Sequence, residues 1–277
     1  MSFKQDVQVK CFIGMLYGLF VVLLAGCATE PRHLVIQMDT PLPPAAASNT
    51  ATPAVAPAIS KPALPDDFLQ TAALQPSSQS DGDGWVPLFD GKTLTGWSQT
   101  DFAGHGEVEV RNTLLLLNMG DPLTGVTWTN RLAKMNYEIA LEAMRVNGSD
   151  FFCGLTVPVN DSFCSLIVGG WGGSLVGISS LDGEDASENE TTKFMNFEDR
   201  KWYRVRLRIT EGRIEGWLNQ EKLVNVVTTD RRISLRPGDI EMSKPLGIAT
   251  YQTTAAIRNI QMRRVSSPAD PPKQKRN

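Results

Sequence analysis

FFCGLTVPVNDSFCSLIVG, residues 151–169, is the stretch that decides the fold. Two runs rich in β-branched and aromatic residues flank Asn160-Asp161, a two-residue hairpin turn. With that turn, Cys153 pairs with Val168 and Val157 with Cys164. Phe151, Cys153, Leu155, Val157, Cys164, Leu166 and Val168 then share one face. Phe152, Gly154, Thr156, Phe163, Ser165 and Ile167 share the other, because side chains alternate along a strand. The first set reads as the core of a sandwich. The second mixes small, hydroxyl and aromatic groups, which suits a sugar-binding face, since rings stack on apolar sugar faces and hydroxyls need polar partners. It equally suits a sheet covered by a loop. The same register puts the two thiols about 13 Å apart along the sheet. That is beyond disulfide reach, so Cys153 and Cys164 are expected to be buried and reduced.

The period of two recurs on both sides of this hairpin. Tyr137, Ile139, Leu141 and Ala143 alternate with Glu138, Ala140, Glu142 and Met144, and Tyr203, Val205, Leu207 and Ile209 alternate with Trp202, Arg204, Arg206 and Arg208. Further short segments of this kind, separated by Gly, Asp and Asn, fill residues 81–265, and no long stretch of helical period competes. The expectation is an all-β domain, an antiparallel two-sheet β-sandwich. Arg204, Arg206 and Arg208 read as a ladder facing strand glutamates.

The ends of the chain have a different character. Lys4 and Lys10 precede an apolar run from Phe12 to Leu24, followed by Leu24-Ala25-Gly26-Cys27. The run is shorter than the roughly 20 residues a membrane helix needs, and it fits a signal peptide over residues 1–26. The small residues before Cys27 resemble a bacterial lipoprotein box, which implies acylation of Cys27 and contact with the membrane through that anchor alone. Ala28 resembles the outer-membrane sorting pattern. Residues 27–80, rich in Pro, Ala and Ser, read as a disordered tether, and 266–277 as a disordered polar tail. The formal net charge is −3 and no basic stripe interleaves with aromatics, which argues against nucleic acid as a partner.

GWVPLFDGKTLTGW, residues 84–97, reads as a short strand, an Asp90-Gly91 turn and a return. Together with Ile167–Gly173, Ser179–Thr191, Trp202-Tyr203 and Pro245–Thr250, it resembles the 3-keto-disaccharide hydrolase family, whose members form a concanavalin A-like jelly roll. The resemblance implies a carbohydrate partner: a disaccharide or glycoside whose sugar is a ketone at carbon 3. The ketone acidifies the hydrogen on carbon 2, so that a base, an acid and an enolate-stabilising group together can expel the aglycone from carbon 1. A glycan-binding or adhesion module without turnover is the alternative, because a fold does not carry its chemistry with it.

Candidate site residues follow from composition. His33 and His105 are the only histidines, so a multi-histidine metal site is excluded. The Glu-x-Asp-x-x-Glu strand of concanavalin-like glucanases is absent. Glu138 and Glu142 would lie about 13 Å apart, too far for a carboxylate pair, which needs about 5–9.5 Å. Glu107 with Glu109, or Glu188 with Glu190, would lie about 6.6 Å apart if extended. The acidic loop 182–190 follows the glycine-flanked Trp171, and it supplies the catalytic candidates Glu188, Glu190 and Asp182. Substrate-binding candidates are Trp171, Asn189 and His105. Asp182, Glu184 and Asp185 could hold a divalent cation such as calcium, although their spacing is not that of an EF-hand. Such a loop is also what simple solvation produces.

Overall fold

The computed structural model describes residues 64–78 and 82–266; Cys27, the signal segment and most of the expected tether and tail lie outside the described residues. The hairpin forms in the expected register, with Cys153 opposite Val168 and Val157 opposite Cys164. Asn160 turns it at φ 55°.

The strands in chain order are β1 (Val86–Pro87), β2 (Trp97–Gln99), β3 (Val108–Arg111), β4 (Leu114–Leu117), β5 (Leu123–Trp128), β6 (Tyr137–Gly148), β7 (Cys153–Val159) and β8 (Ser162–Gly169). They continue with β9 (Leu175–Ser179), β10 (Lys193–Phe194), β11 (Trp202–Thr210), β12 (Arg213–Leu218), β13 (Glu221–Val227), β14 (Gly247–Tyr251) and β15 (Thr253–Arg264). One sheet runs β13-β12-β11-β6-β15-β4-β3, with β1 also paired to β15; the other runs β10-β9-β8-β7-β14-β5-β2. The paired strands are antiparallel, and the fold is the expected all-β sandwich.

Alternate residues of the two sheets meet between them. Ile139, Leu141, Val205 and Leu207 from the first sheet pack with Leu155, Val157, Cys164 and Leu166 from the second. Each such buried aliphatic side chain contributes about 1.5–3 kcal/mol. Cys153 and Cys164 are free and buried, and burial pushes both thiols up to about 12.

Three expectations are corrected. First, Phe151 and Phe152 exchange faces. Strand β7 begins only at Cys153, so alternation does not extend back to them. Phe152 is fully buried in the inter-sheet core against Phe197 and Tyr203, whereas Phe151 lies over the outer face of the second sheet.

Second, folded chain begins before residue 81. Asp66–Leu74 forms helix α1, and its Leu69 and Ala72 bury against Leu114, Leu116, Met144, Val146 and Ala256. Arg258 donates to the carbonyls of Ala72, Ala73, Gln75 and Pro76, satisfying acceptors that a helix C-terminus leaves open. A nine-residue helix is marginal alone; packing and this clamp hold it.

Third, residues 84–97 do not form a hairpin. β1 pairs with β15 of one sheet and β2 with β5 of the other, so the segment crosses between sheets. The Asp90 carboxylate accepts from the N–H groups of Lys92 and Thr93, which fixes the turn. Trp97 then enters the core edge-on to Trp128, 5.2 Å between ring centres.

Candidate functional site

The outer face of the second sheet is built from small residues in cross-strand rows. Gly177, Ile167, Gly154, Ala249 and Gly125 form one row. The next is Ser179, Ser165, Thr156, Gly247 and Thr127. The glycines make room for loops above them. A Cβ at Gly154 would stand 3.0 Å from the Phe151 ring, and one at Gly125 3.0 Å from the Phe102 ring. Phe102, Phe151 and Ala186 thereby join Leu123, Ile167, Leu175 and Ala249 in a second apolar cluster, flanked by Ile240 and Tyr251.

Above this cluster opens a cleft of about 360 Å³. Ser165 and Ser179 lie in its wall, along with Asp150, Arg236, Asp239, Trp171 and Tyr251. Thr156 and Ser165 share a hydroxyl hydrogen bond of 2.7 Å. The Tyr251 ring lies against Phe151 at 5.8 Å. Arg236 donates to the Asp185 carboxylate at 2.9 Å and its side chain is 60% exposed, so part of its guanidinium remains open to the cleft.

Trp171 stands at the rim, 40% exposed. Its backbone is left-handed, φ 49° and ψ 58°, a conformation that costs a non-glycine residue roughly 1–2 kcal/mol. Two bonds hold the turn in place: the Gly172 N–H donates to Asp150 Oδ2 at 2.9 Å, and Arg145 donates to the Gly173 carbonyl at 3.2 Å. Asp150 also accepts from the Phe151 N–H at 2.7 Å. An exposed indole fixed in a costly backbone state beside a cleft is a built feature.

The acidic loop has another role. Arg231 joins Asp182 and Glu190, and the Arg232 N–H donates to Asp182 at 2.7 Å. The Arg232 backbone bond, aided by Arg231, holds Asp182 below its ordinary carboxylate range, and the Arg231 hydrogen bond does the same to Glu190. Carboxylates kept ionised by guanidinium groups are poor proton acceptors. Asn189 is buried; its amide donates to the carbonyls of Ile178, Glu184 and Asp185, and its oxygen accepts from Thr191. It staples the loop and has no reach to a ligand. Glu184 and Glu188 are exposed, and none of residues 182–190 lines the cleft.

Asp182, Glu184 and Asp185, which could have held a divalent cation, do not assemble a site. Arg231 and Arg236 take the two aspartates separately, and among the described residues no three His, Cys, Asp or Glu side chains converge to hold a metal ion. His105 is exposed, accepts from the Gln99 amide, and does not line the cleft. Of the sequence candidates, only Trp171 belongs to the cleft. Asp150, Arg236, Asp239 and Tyr251 were missed; the outer-face position of Ser165 was the sequence signal that pointed toward them.

The molecule resembles several solved structures. A protein of unknown function with a galectin-like fold from Bacillus subtilis aligns at TM-score 0.45 and 9% identity, over 66% of this chain and 96% of that one. The carbohydrate-binding module CBM66 from Bacillus subtilis aligns at 0.42 and 11%, over 61% and 95%. A Crh5 transglycosylase in complex with NAG aligns at 0.41 and 10%, over 64% and 84%. No curated protein matches the sequence significantly. Residues 84–263, most of the described chain, match the family of 3-keto-alpha-glucoside-1,2-lyase-like domains, and the protein belongs to this carbohydrate-acting family.

Proposed function

We propose that the cleft beside Trp171 cleaves 3-keto glycosides by elimination, with or without later addition of water. The observation that carries this reading is the meeting of Asp239, Arg236, Tyr251 and the exposed Trp171 on one cleft in a domain of this family. Trp171 stacks on the sugar ring. Asp239 takes the hydrogen from carbon 2, and Arg236 offers donors to the carbon-3 oxygen as it becomes an enolate. Collapse of the enolate restores the ketone, forms the C1–C2 double bond and expels the carbon-1 oxygen, which takes a proton from the Tyr251 hydroxyl. Asp150 acts at one remove, by holding the Trp171 turn. The lipoprotein box extends the proposal to an anchored protein of the outer membrane.

A glycan-binding role without turnover is favoured by one feature: Asp150 and the acidic-loop aspartates are already committed to backbone N–H groups and arginines. The two readings separate on incubation with 3-keto-trehalose. Release of glucose by the wild type, reduced at least ~100-fold in Asp239→Asn as expected for a lost general base, supports cleavage. Saturable binding with no release sinks it in favour of the binding module.

A further inference from the structure

Ser165 and Ser179 stand opposite each other on the adjacent strands β8 and β9, and both line the cleft although they are only 1% and 4% exposed. Directly opposed side chains share a face, with Cβ atoms roughly 4.5–5.5 Å apart. Two hydroxyls therefore stand side by side in the cleft wall. Serines close by in the chain, which are not part of that wall, are bonded to the backbone: Ser162 donates to the Ile233 carbonyl at 2.6 Å and Ser180 to the Glu184 carbonyl at 3.0 Å. The Ser179 hydroxyl has no such partner among the described residues.

The Ser165 hydroxyl has one partner, and counting protons fixes the direction of that bond. Thr156 lies opposite Ser165 on β7, is fully buried and does not line the cleft. The two hydroxyls share the 2.7 Å hydrogen bond, and neither has another side-chain partner among the described residues. Two hydroxyls carry two protons, and one shared bond uses one of them. If Ser165 donated, the Thr156 proton would be stranded in an enclosed position, which buried polar groups avoid. Thr156 therefore donates, and the proton left over belongs to Ser165, the side chain that reaches the cleft. Accepting from Thr156 also polarises the Ser165 hydroxyl and makes it a better donor.

We infer that Ser165 and Ser179 are specificity-determining residues that each bond an oxygen of the bound sugar, and that Thr156 is a positioning residue that aims the Ser165 proton at the ligand. The inference rests on the proposed function for a sugar in this cleft, and it does not depend on cleavage. Its test uses the full chain and reads Kd from tryptophan fluorescence. The ligands are methyl 3-keto-α-glucoside, its 2-, 4- and 6-deoxy derivatives, and methyl α-glucoside. Ser165→Ala and Ser179→Ala are each expected to weaken binding of the keto glycoside about fivefold to tenfold, the size of one neutral hydrogen bond. Each penalty is expected to vanish for one deoxy derivative, the one that lacks the oxygen in question. Thr156→Val removes the hydroxyl behind Ser165, and its penalty is expected to vanish for the same derivative as that of Ser165→Ala, a pattern that altered packing alone would not produce. Wild-type Kd values in both serine variants, showing that the hydroxyls hold only water, would overturn the inference. So would penalties equal for every ligand, or no binding of any ligand. Sugar release from 3-keto-trehalose, followed in the same preparations, reports separately on the reaction. Serine penalties without release keep the inference and remove cleavage; release with unchanged serine variants does the reverse. Equal binding of methyl α-glucoside, with the same serine penalties, keeps the inference and removes the ketone from the reading.

Discussion

On the outer face of the first sheet, the fully buried Glu138 meets the guanidinium groups of Arg206, Arg208 and Arg263 at 2.8–3.3 Å. Trp217 there lies beneath Arg206, Arg208 and Lys222 at 4.1–5.1 Å. On the outer face of the second sheet the corresponding rows are Gly, Ala, Ser and Thr apart from Ile167, and among the described residues no guanidinium or ammonium group stacks on Trp171, the one large exposed ring of the cleft. Long side chains that satisfy one another close a surface; short ones leave it open for loops and ligand. The first face stabilises the domain, and the second carries the candidate site.

The comparison can be broken most forcefully at Glu138. Glu138→Ala leaves three guanidinium groups facing one another without their carboxylate, and the expected loss is about 3–5 kcal/mol of unfolding free energy, read by urea denaturation. The cleft is expected to bind its ligand normally in whatever fraction remains folded. Arg258→Ala removes the clamp on α1 and the cationic partner of the buried Glu142, 2.7 Å away, leaving that carboxylate only the Asn259 amide and the Ser78 N–H among the partners described. A loss of about 3 kcal/mol is expected, with faster proteolysis between residues 64 and 80 as a local readout. A small effect on stability with α1 still protected would show that the helix is held by its other contacts: the packing of Leu69 and Ala72, the Trp202 Nε1 hydrogen bond to the Ala72 carbonyl and the Arg111–Asp66 ion pair.

On the site face the sign reverses. Trp171→Gly relieves a left-handed residue, so it is expected to raise stability by about 1 kcal/mol while lowering ligand affinity. A loss of stability would mean that the indole packs as a structural residue.

The smallest effect is expected in the acidic loop. The folded-state lowering of Asp182 and Glu190 contributes stability above the ordinary carboxylate range, and this contribution is lost as pH falls through their lowered values. Arg231→Ala is therefore expected to be slightly less stable than the wild type near pH 7 and indistinguishable from it in acid. Because these carboxylates are largely exposed, the shift should be small. A large loss of activity in the same variant would return the acidic loop to the chemistry.

The sandwich was legible because its signals are local. The two-residue turn at Asn160-Asp161 set the register of β7 and β8, and the alternation in β6 and β11 placed Arg206 and Arg208 beside Glu138. The site was not legible because its partners are distant in sequence. The acidic loop looked free until Arg231, Arg232 and Arg236, some fifty residues downstream, were folded onto it. Arg236 sits in a loop with no period, and Asp239 opens a 3-10 turn of only five residues, Asp239–Ser243. Trp171 could be read because its cause is local: glycines on both sides leave a turn no neighbouring side chain on which to pack the ring. Helix α1 escaped notice because its packed apolar positions, Phe68, Leu69, Ala72 and Ala73, span fewer than two helical turns.

The most direct measurement compares two single substitutions, Trp171→Ala and Trp217→Ala, by titration with 3-keto-trehalose and by urea denaturation of the same preparations. The account predicts that Trp171→Ala loses most of its affinity with little change in stability, whereas Trp217→Ala loses stability and keeps the wild-type Kd. Undiminished binding in Trp171→Ala, or loss of binding in a folded Trp217→Ala, would contradict the assignment of the site to the outer face of the second sheet.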